Sequence, residues 1–270
     1  MFKKTVIAAG LGLALSSAAH AEYQWELGAN SGTGDIDLGR YSADQDFFGL
    51  TGTYYFDRVD TSRGPLAEAA FLDRASNIEL DVRTGEVEGD EEDYDVDSYA
   101  GSSRLVLGEG GWIVDLGARR DEIEDVEVDT FTLGGGKYVL ENTAVVLSYS
   151  NIDEENTDDA DKYELGLEHL WRFDMGALKL DANVGRIDLE ESDDIDVWGL
   201  DGTYYVTDRL GFGAGYEQQD SDDVEIERWS VFGQWFATEN VALSLGYTNE
   251  EDQDVDYEAD AVMFTADVRF

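Results

Sequence analysis

The chain repeats one unit: a run of alternating apolar and small or polar residues, a short polar turn, a second alternating run, then an acidic segment. In "VALSLGY", Val241, Leu243, Leu245 and Tyr247 share one parity, and Ala242, Ser244 and Gly246 share the other. A period of two belongs to a strand with unlike faces; a helix would repeat every three or four residues. "GTYYF" at 52–56, "GKYVL" at 136–140, "GTYYV" at 202–206 and "GQWFA" at 233–237 echo one another. After the last three, "EN", "TDR" and "TEN" lead into "TAVVLSY", "LGFGAGY" and "VALSLGY". Extended along the chain, the pattern predicts about fourteen strands, with twelve or sixteen as alternatives. They lie near 23–31, 46–56, 76–86, 96–107, 112–121, 128–140, 143–151, 161–173, 177–188, 195–206, 209–218, 226–237, 240–249 and 258–270. The phase of the sixth is open: Phe131 and Leu133 disagree in parity with Tyr138, and the glycines at 134–136 offer a bulge that would reset it.

The connections alternate in kind. Short polar ones ("GEGG", "ENT", "DMGA", "TDR", "TEN") mark one end of the strands. Seven acidic segments, at 32–46, 86–95, 121–129, 151–161, 188–196, 217–227 and 249–258, mark the other and read as long loops. They hold 41 of the 62 Asp and Glu, so the acidity is concentrated on one side. A net charge of −44 repels a phosphate backbone, which argues against nucleic acid as a partner. An aromatic content of 12% sets the chain apart from disordered acidic proteins. With no cysteine, disulfides, thiolate metal sites and cysteine nucleophiles are excluded.

Residues 1–21, "MFKKTVIAAGLGLALSSAAHA", read as a cleaved signal peptide, with Lys3 and Lys4 ahead of an apolar run and Ala19-His20-Ala21 as the cleavage site. The remainder, 22–270, is expected to be one β-domain. A soluble sandwich is the alternative to a barrel. Strands of about ten residues that cross a tilted bilayer, unlike connections at the two ends, and aromatics at strand ends favour the barrel. Those aromatics are Tyr23, Trp25, Tyr54, Phe56, Trp112, Trp171, Tyr204, Trp235 and Tyr247. In lipid every backbone N–H and C=O needs an internal partner, and only a closed sheet gives that to strands. The predicted class is therefore all-β: a transmembrane antiparallel up-and-down β-barrel with both termini at the short-turn end.

The last strand, "ADAVMFTADVRF", ends the chain on Phe270. Here the sequence resembles Gram-negative outer-membrane barrels, whose final strand commonly ends in an aromatic residue read by the insertion machinery. "GPLAEAAFLDRAS" at 64–76 is similar to a segment of the family described as "putative general bacterial porin". The resemblance implies export to the cell outer membrane. It also implies outer-membrane lipid, lipopolysaccharide and the insertion machinery as partners, with no cofactor. The segment is distinctive on its own terms: Pro65 suits the first turn of a helix, and the residues after it are good helix formers without strand alternation. It is expected to lie as a helix on the rim, with a position inside the lumen as the alternative.

The parity opposite the apolar face carries Asp81, Arg83, Arg104, Asp115, Arg119, Lys137, Glu164, Lys179, Asp181 and Asp201, which are expected to line a pore. Inward Tyr55, Tyr205 and Phe236 suggest a slide for a sugar or nucleoside. The acidic segments are expected to solvate the exposed end, ahead of acting as a cation-attracting vestibule or as Ca²⁺ ligands. None carries the spacing of a calcium loop, so no metal site is expected. His169 falls on the apolar parity and reads as an interface residue rather than a catalytic base. No catalytic residue is expected. The reading is a passive diffusion channel for small hydrophilic solutes that prefers cations. A closed structural or adhesive barrel and a substrate-specific channel are the alternatives.

Overall fold

The computed structural model describes residues 22–89, 93–124, 126–154, 159–189, 193–221, 225–252, 255 and 257–270, so the expected leader lies outside the described residues. The strands are β1 (Glu22–Asp37), β2 (Ser42–Asp60), β3 (Asn77–Gly89), β4 (Asp93–Leu107), β5 (Trp112–Ile123), β6 (Val126–Leu140) and β7 (Thr143–Glu154). The second half adds β8 (Ala160–Phe173), β9 (Gly176–Leu189), β10 (Ile195–Thr207), β11 (Leu210–Asp220), β12 (Glu225–Phe236), β13 (Val241–Asp252) and β14 (Tyr257–Arg269). Each strand pairs antiparallel with its sequence neighbours, and β1 pairs with β14 to close the barrel. Leu27, Leu50, Leu80, Leu116, Leu133, Leu147, Leu165, Leu200 and Leu245 stand exposed on the outer face, where lipid replaces water. The other parity turns glycine, serine, threonine and charged side chains inward.

The strands run from 11 to 19 residues, longer than a membrane crossing requires. The excess is the acidic sequence. Residues 38–41 alone separate β1 from β2, and the other acidic segments also continue the ladder at both flanks. Among the described residues, the expected long loops are therefore extensions of the barrel wall. Aspartate and glutamate have low strand preference, but that preference yields to context when neighbouring strands already offer partners. Like charges now stand directly opposite: Asp35 with Asp44 and Asp260, Glu122 with Glu127, Glu251 with Glu258. Each such pair costs a few tenths to about 1 kcal/mol. Arginines offset part of it on the outer surface, Arg120 bonding Glu127 and Asp129 at 3.0 and 2.6 Å, and Arg186 bonding Asp196 at 2.8 Å. Of the stretch 153–161, residues 155–158 lie outside the described residues, while Asp161 accepts a hydrogen bond from Tyr149 at 2.7 Å.

Two parity expectations are corrected. In β6 the glycines at 134–136 form no bulge: Gly134, Gly135 and Gly136 pair in unbroken register with Asp115, Val114 and Ile113. Phe131 and Leu133 face out while Tyr138 faces in, packed against Ile113 and Ala144. Tyr23, expected in the outer aromatic belt, is also buried inside, beside Tyr55 and Val59. A register shift between Tyr23 and Trp25 turns the wall there, leaving Trp25 outside against Tyr54.

Candidate functional site

The chain between β2 and β3 contains a 3-10 turn (Thr61–Arg63), a second one (Leu66–Glu68) and the short helix α1 (Ala69–Asp73). Asp60 starts it by accepting the Ser62 N–H at 2.9 Å. Arg74 ends it in the left-handed region at φ 54°, its N–H turned back to Ala70 and Phe71 carbonyls. This segment does not lie on the rim. Ala69 packs with Tyr23, Tyr55 and Val59 on β1 and β2, while Leu72 packs with Leu170, Ala177 and Tyr205 on β8 to β10. β2 and β9 are seven strands apart in a ring of fourteen, so the segment reaches opposite walls. Leu66 fills a third seat against Phe236 and Ala242, and Phe71 a fourth against Ile113, Tyr138 and Ala144. It forms a floor across the short-turn end of the lumen.

The seats explain why the rim position loses. On the rim, Leu66, Ala69 and Leu72 would face water; here all three are buried, each leucine gaining about 1.5–3 kcal/mol from burial. The inward aromatics were present in the repeats. In "TYY" and "QWF" the first ring of each doublet (Tyr54, Tyr204, Trp235) faces out and the second (Tyr55, Tyr205, Phe236) faces in at the level of the floor. Those inward rings are 7%, 5% and 2% exposed, so they are seats for the floor and present no slide to a solute.

Polar anchors ring the segment. Leu66 donates its N–H to the Asp208 carbonyl at 2.9 Å, and Arg269 donates to the Leu66 carbonyl at 2.7 Å. Arg172 donates to the Arg63 carbonyl at 2.7 Å and Arg74 to the Leu140 carbonyl at 3.2 Å. Tyr205 donates its hydroxyl to Glu68 at 2.6 Å. A cavity of about 530 Å³ lies beside the floor, between Gly64 and Pro65 and the turns after β8 and β10.

A charged cluster meets the floor at Glu68. Lys179 lies 3.9 Å from Glu68, 2.6 Å from Asp181 and 3.7 Å from Glu168. Arg104 bonds Glu168 at 2.8 Å and Asp115 at 2.9 Å. Four carboxylates thus share two cations. Burial pushes the Glu68 carboxyl above the ordinary carboxylate range, opposed in part by Lys179 and by the hydroxyl of Tyr205.

Of the residues expected to line a pore, Arg104, Asp115, Lys179 and Asp181 meet in this cluster. Asp81 turns inward and accepts from the Thr51 hydroxyl at 2.6 Å. Arg119 pairs with Asp121 at 2.7 Å, and Glu164 with Lys162 at 2.8 Å. Arg83 lies over the Phe47 ring at 5.4 Å, and Asp201 lies against Gly215. Phe47 can lie flat on the wall because a Cβ on Gly32 would overlap its ring, and Phe232 uses Gly213 in the same way. Lys137 is a correction. It is opposite Trp112 in the register, and its ammonium sits 4.9 Å from that ring on the outer face. Once Tyr138 faces in, its neighbour Lys137 must face out. His169 is also outside, 2.6 Å from the Thr143 hydroxyl and edge-on to the Trp171 ring. Phe270 closes the seam, its carbonyl accepting from Gln24 and Trp25 and its N–H donating to Trp25.

Sequence reasoning missed inward Glu26, Glu68, Glu168, Arg228, Asp267 and Arg269. The strand members share the inward parity of their neighbours and were legible on that signal. Arg228 bonds Glu217 and Glu250 on the strands to either side of it. Glu68 lies off the strands, where parity says nothing.

Residues 2–176 match the family described as "Putative general bacterial porin". The outer membrane protein Omp33 of Acinetobacter baumannii is similar in structure, with a TM-score of 0.65 over 93% of this chain and 100% of that one, at 24% identity. A bacterial polysaccharide outer membrane secretin is similar at a TM-score of 0.52 over 94% of this chain and 100% of that one, at 11% identity. At these identities the solved structures speak for the fold. No curated protein matches the sequence.

Proposed function

This chain belongs to the general bacterial porin family, and on that premise we propose that it is a passive channel for small hydrophilic solutes in the outer membrane, with the segment after β2 as its gate. The carrying observation is a polar-walled barrel crossed at one end by a segment held through side chains and single hydrogen bonds, with no strand ladder of its own. The wall is a continuous ladder and rigid; the floor can leave its seats without breaking that ladder. The short-turn end then faces the periplasm and the acidic wall extensions face outward. Cation preference is supported by the net charge of −44 and by carboxylates outnumbering cations around the floor. Transport involves no bond making, and no residue is assigned a catalytic role. Lipopolysaccharide surrounds the outer half of the wall in this reading. The leader at 1–21 directs export, and Phe270 is read by the insertion machinery.

Reconstitution in a planar bilayer under a KCl gradient tests this. Discrete current steps with a cation-selective reversal potential are expected. The seated floor favours one rival, a closed structural or adhesive barrel, and a folded barrel that stays silent at all voltages would establish it instead.

A further inference from the structure

Arg269, the penultimate residue, does more than end a strand. It is 6% exposed, and its guanidinium lies between the rings of Tyr23 and Phe236, at 4.7 and 4.8 Å. It bonds Glu26 at 2.8 Å and the Leu66 carbonyl at 2.7 Å. Four separate parts of the molecule therefore meet at one side chain: β1, β12, β14 and the floor. Glu26 and Arg269 are also direct partners across the seam where β1 pairs with β14.

That seam joins the first strand to the last. Until it closes, Glu26 and Arg269 sit on separate edges, and the pocket for the guanidinium does not exist. Closure in the wrong register does not create it either, because a slip of one residue sends every side chain of a strand to the other face. A buried guanidinium without its carboxylate is strongly unfavourable. We infer that Arg269 is a latch that reads the seam: it seats the floor only after β1 and β14 have paired in register, so the floor closes last. This rests on the reading of the segment as a movable floor. Arg269 acts as a positioning residue and touches no solute in this role.

The test uses the absence of cysteine from the chain. Ala67→Cys puts one thiol in the floor, where Ala67 packs against the seats of both Leu66 and Leu72. Maleimide labelling of the folded protein then reports floor release, and heat-modifiable electrophoretic mobility reports barrel closure. Arg269→Lys keeps a positive charge for Glu26 and gives up the second bond to Leu66; Glu26→Gln removes the charge that orients the guanidinium. Each is expected to speed labelling at least tenfold in barrels that remain closed. During refolding of the Ala67→Cys parent, protection of the thiol is expected to follow barrel closure. Unchanged labelling in closed barrels of both variants, or protection that precedes closure, overturns the latch. Conductance is read separately. Fast labelling without current keeps the latch and removes the channel reading, whereas current without any change in labelling does the reverse.

Discussion

Replacing Leu72 by alanine separates the floor from the wall. Leu72 is 4% exposed and packs on Leu170, Ala177 and Tyr205, but it belongs to no strand and supports no ladder bond. Truncating a buried leucine costs about 2–5 kcal/mol, the spread set by how far the site collapses. The side chain is buried only while the floor is seated, so the whole cost falls on the seated state. At about 1.4 kcal/mol per tenfold, the ratio of released to seated floor rises about 30-fold to a few thousand-fold. Single-channel recording reads this ratio as the open fraction, which saturates once release dominates. Thermal loss of the barrel's heat-modifiable mobility, measured in parallel, is expected to stay unchanged. A barrel destabilised by that amount with an unaltered open fraction would refute the reasoning, because the segment would then be part of the folding core rather than a gate.

Acid is expected to hold the floor shut. The Glu68 carboxyl is pushed up when seated, so seating takes up a proton. The associated stability is fully present below the ordinary carboxylate range and is lost as pH rises through the raised value. Glu68 faces Lys179 and Asp181 of β9, Glu168 of β8 and Tyr205 of β10. Glu68→Gln keeps an acceptor for the Tyr205 hydroxyl, and closed-state dwell times measured between pH 4 and pH 7 are expected to flatten in that variant; an unchanged slope assigns the proton elsewhere. Arg83→Gln is expected to move the reversal potential toward cations and Lys137→Gln to leave it in place. A shift from Lys137→Gln alone would mean that β6 is turned the other way.

The strands were legible because their information is local. The alternation in "VALSLGY" or "AVMFTADV" names both the strand and its outer face, and apolar residues on one parity have nowhere to go but lipid or a second sheet. The acidic segments misled because a strand was judged by its own composition. Asp35 and Asp44 remain in a ladder since each backbone already has a partner on both sides. Lys137 reads as inward only if its neighbour Tyr138 takes the outer parity; Tyr138 faces in instead, its hydroxyl donating to the carbonyl of Phe71, a residue 67 positions away in sequence.

The sequence by itself determined that the chain is built of strands, about fourteen of them, the outer parity of most of the wall and the end at which the acidity lies. Each follows from a period of two and from turn spacing, which are properties of neighbours along the chain. The tertiary structure alone decided what fills the barrel. The segment from Pro65 to Ala75 has only helix propensity as a local signal, and that is satisfied equally on the rim or across the lumen. Its position is set by Tyr55, Tyr138, Tyr205, Phe236 and Arg269, the last bonding Leu66 across 203 positions of sequence. Those side chains converge only when the first strand meets the last, so the seat of the floor is a property of the closed ring.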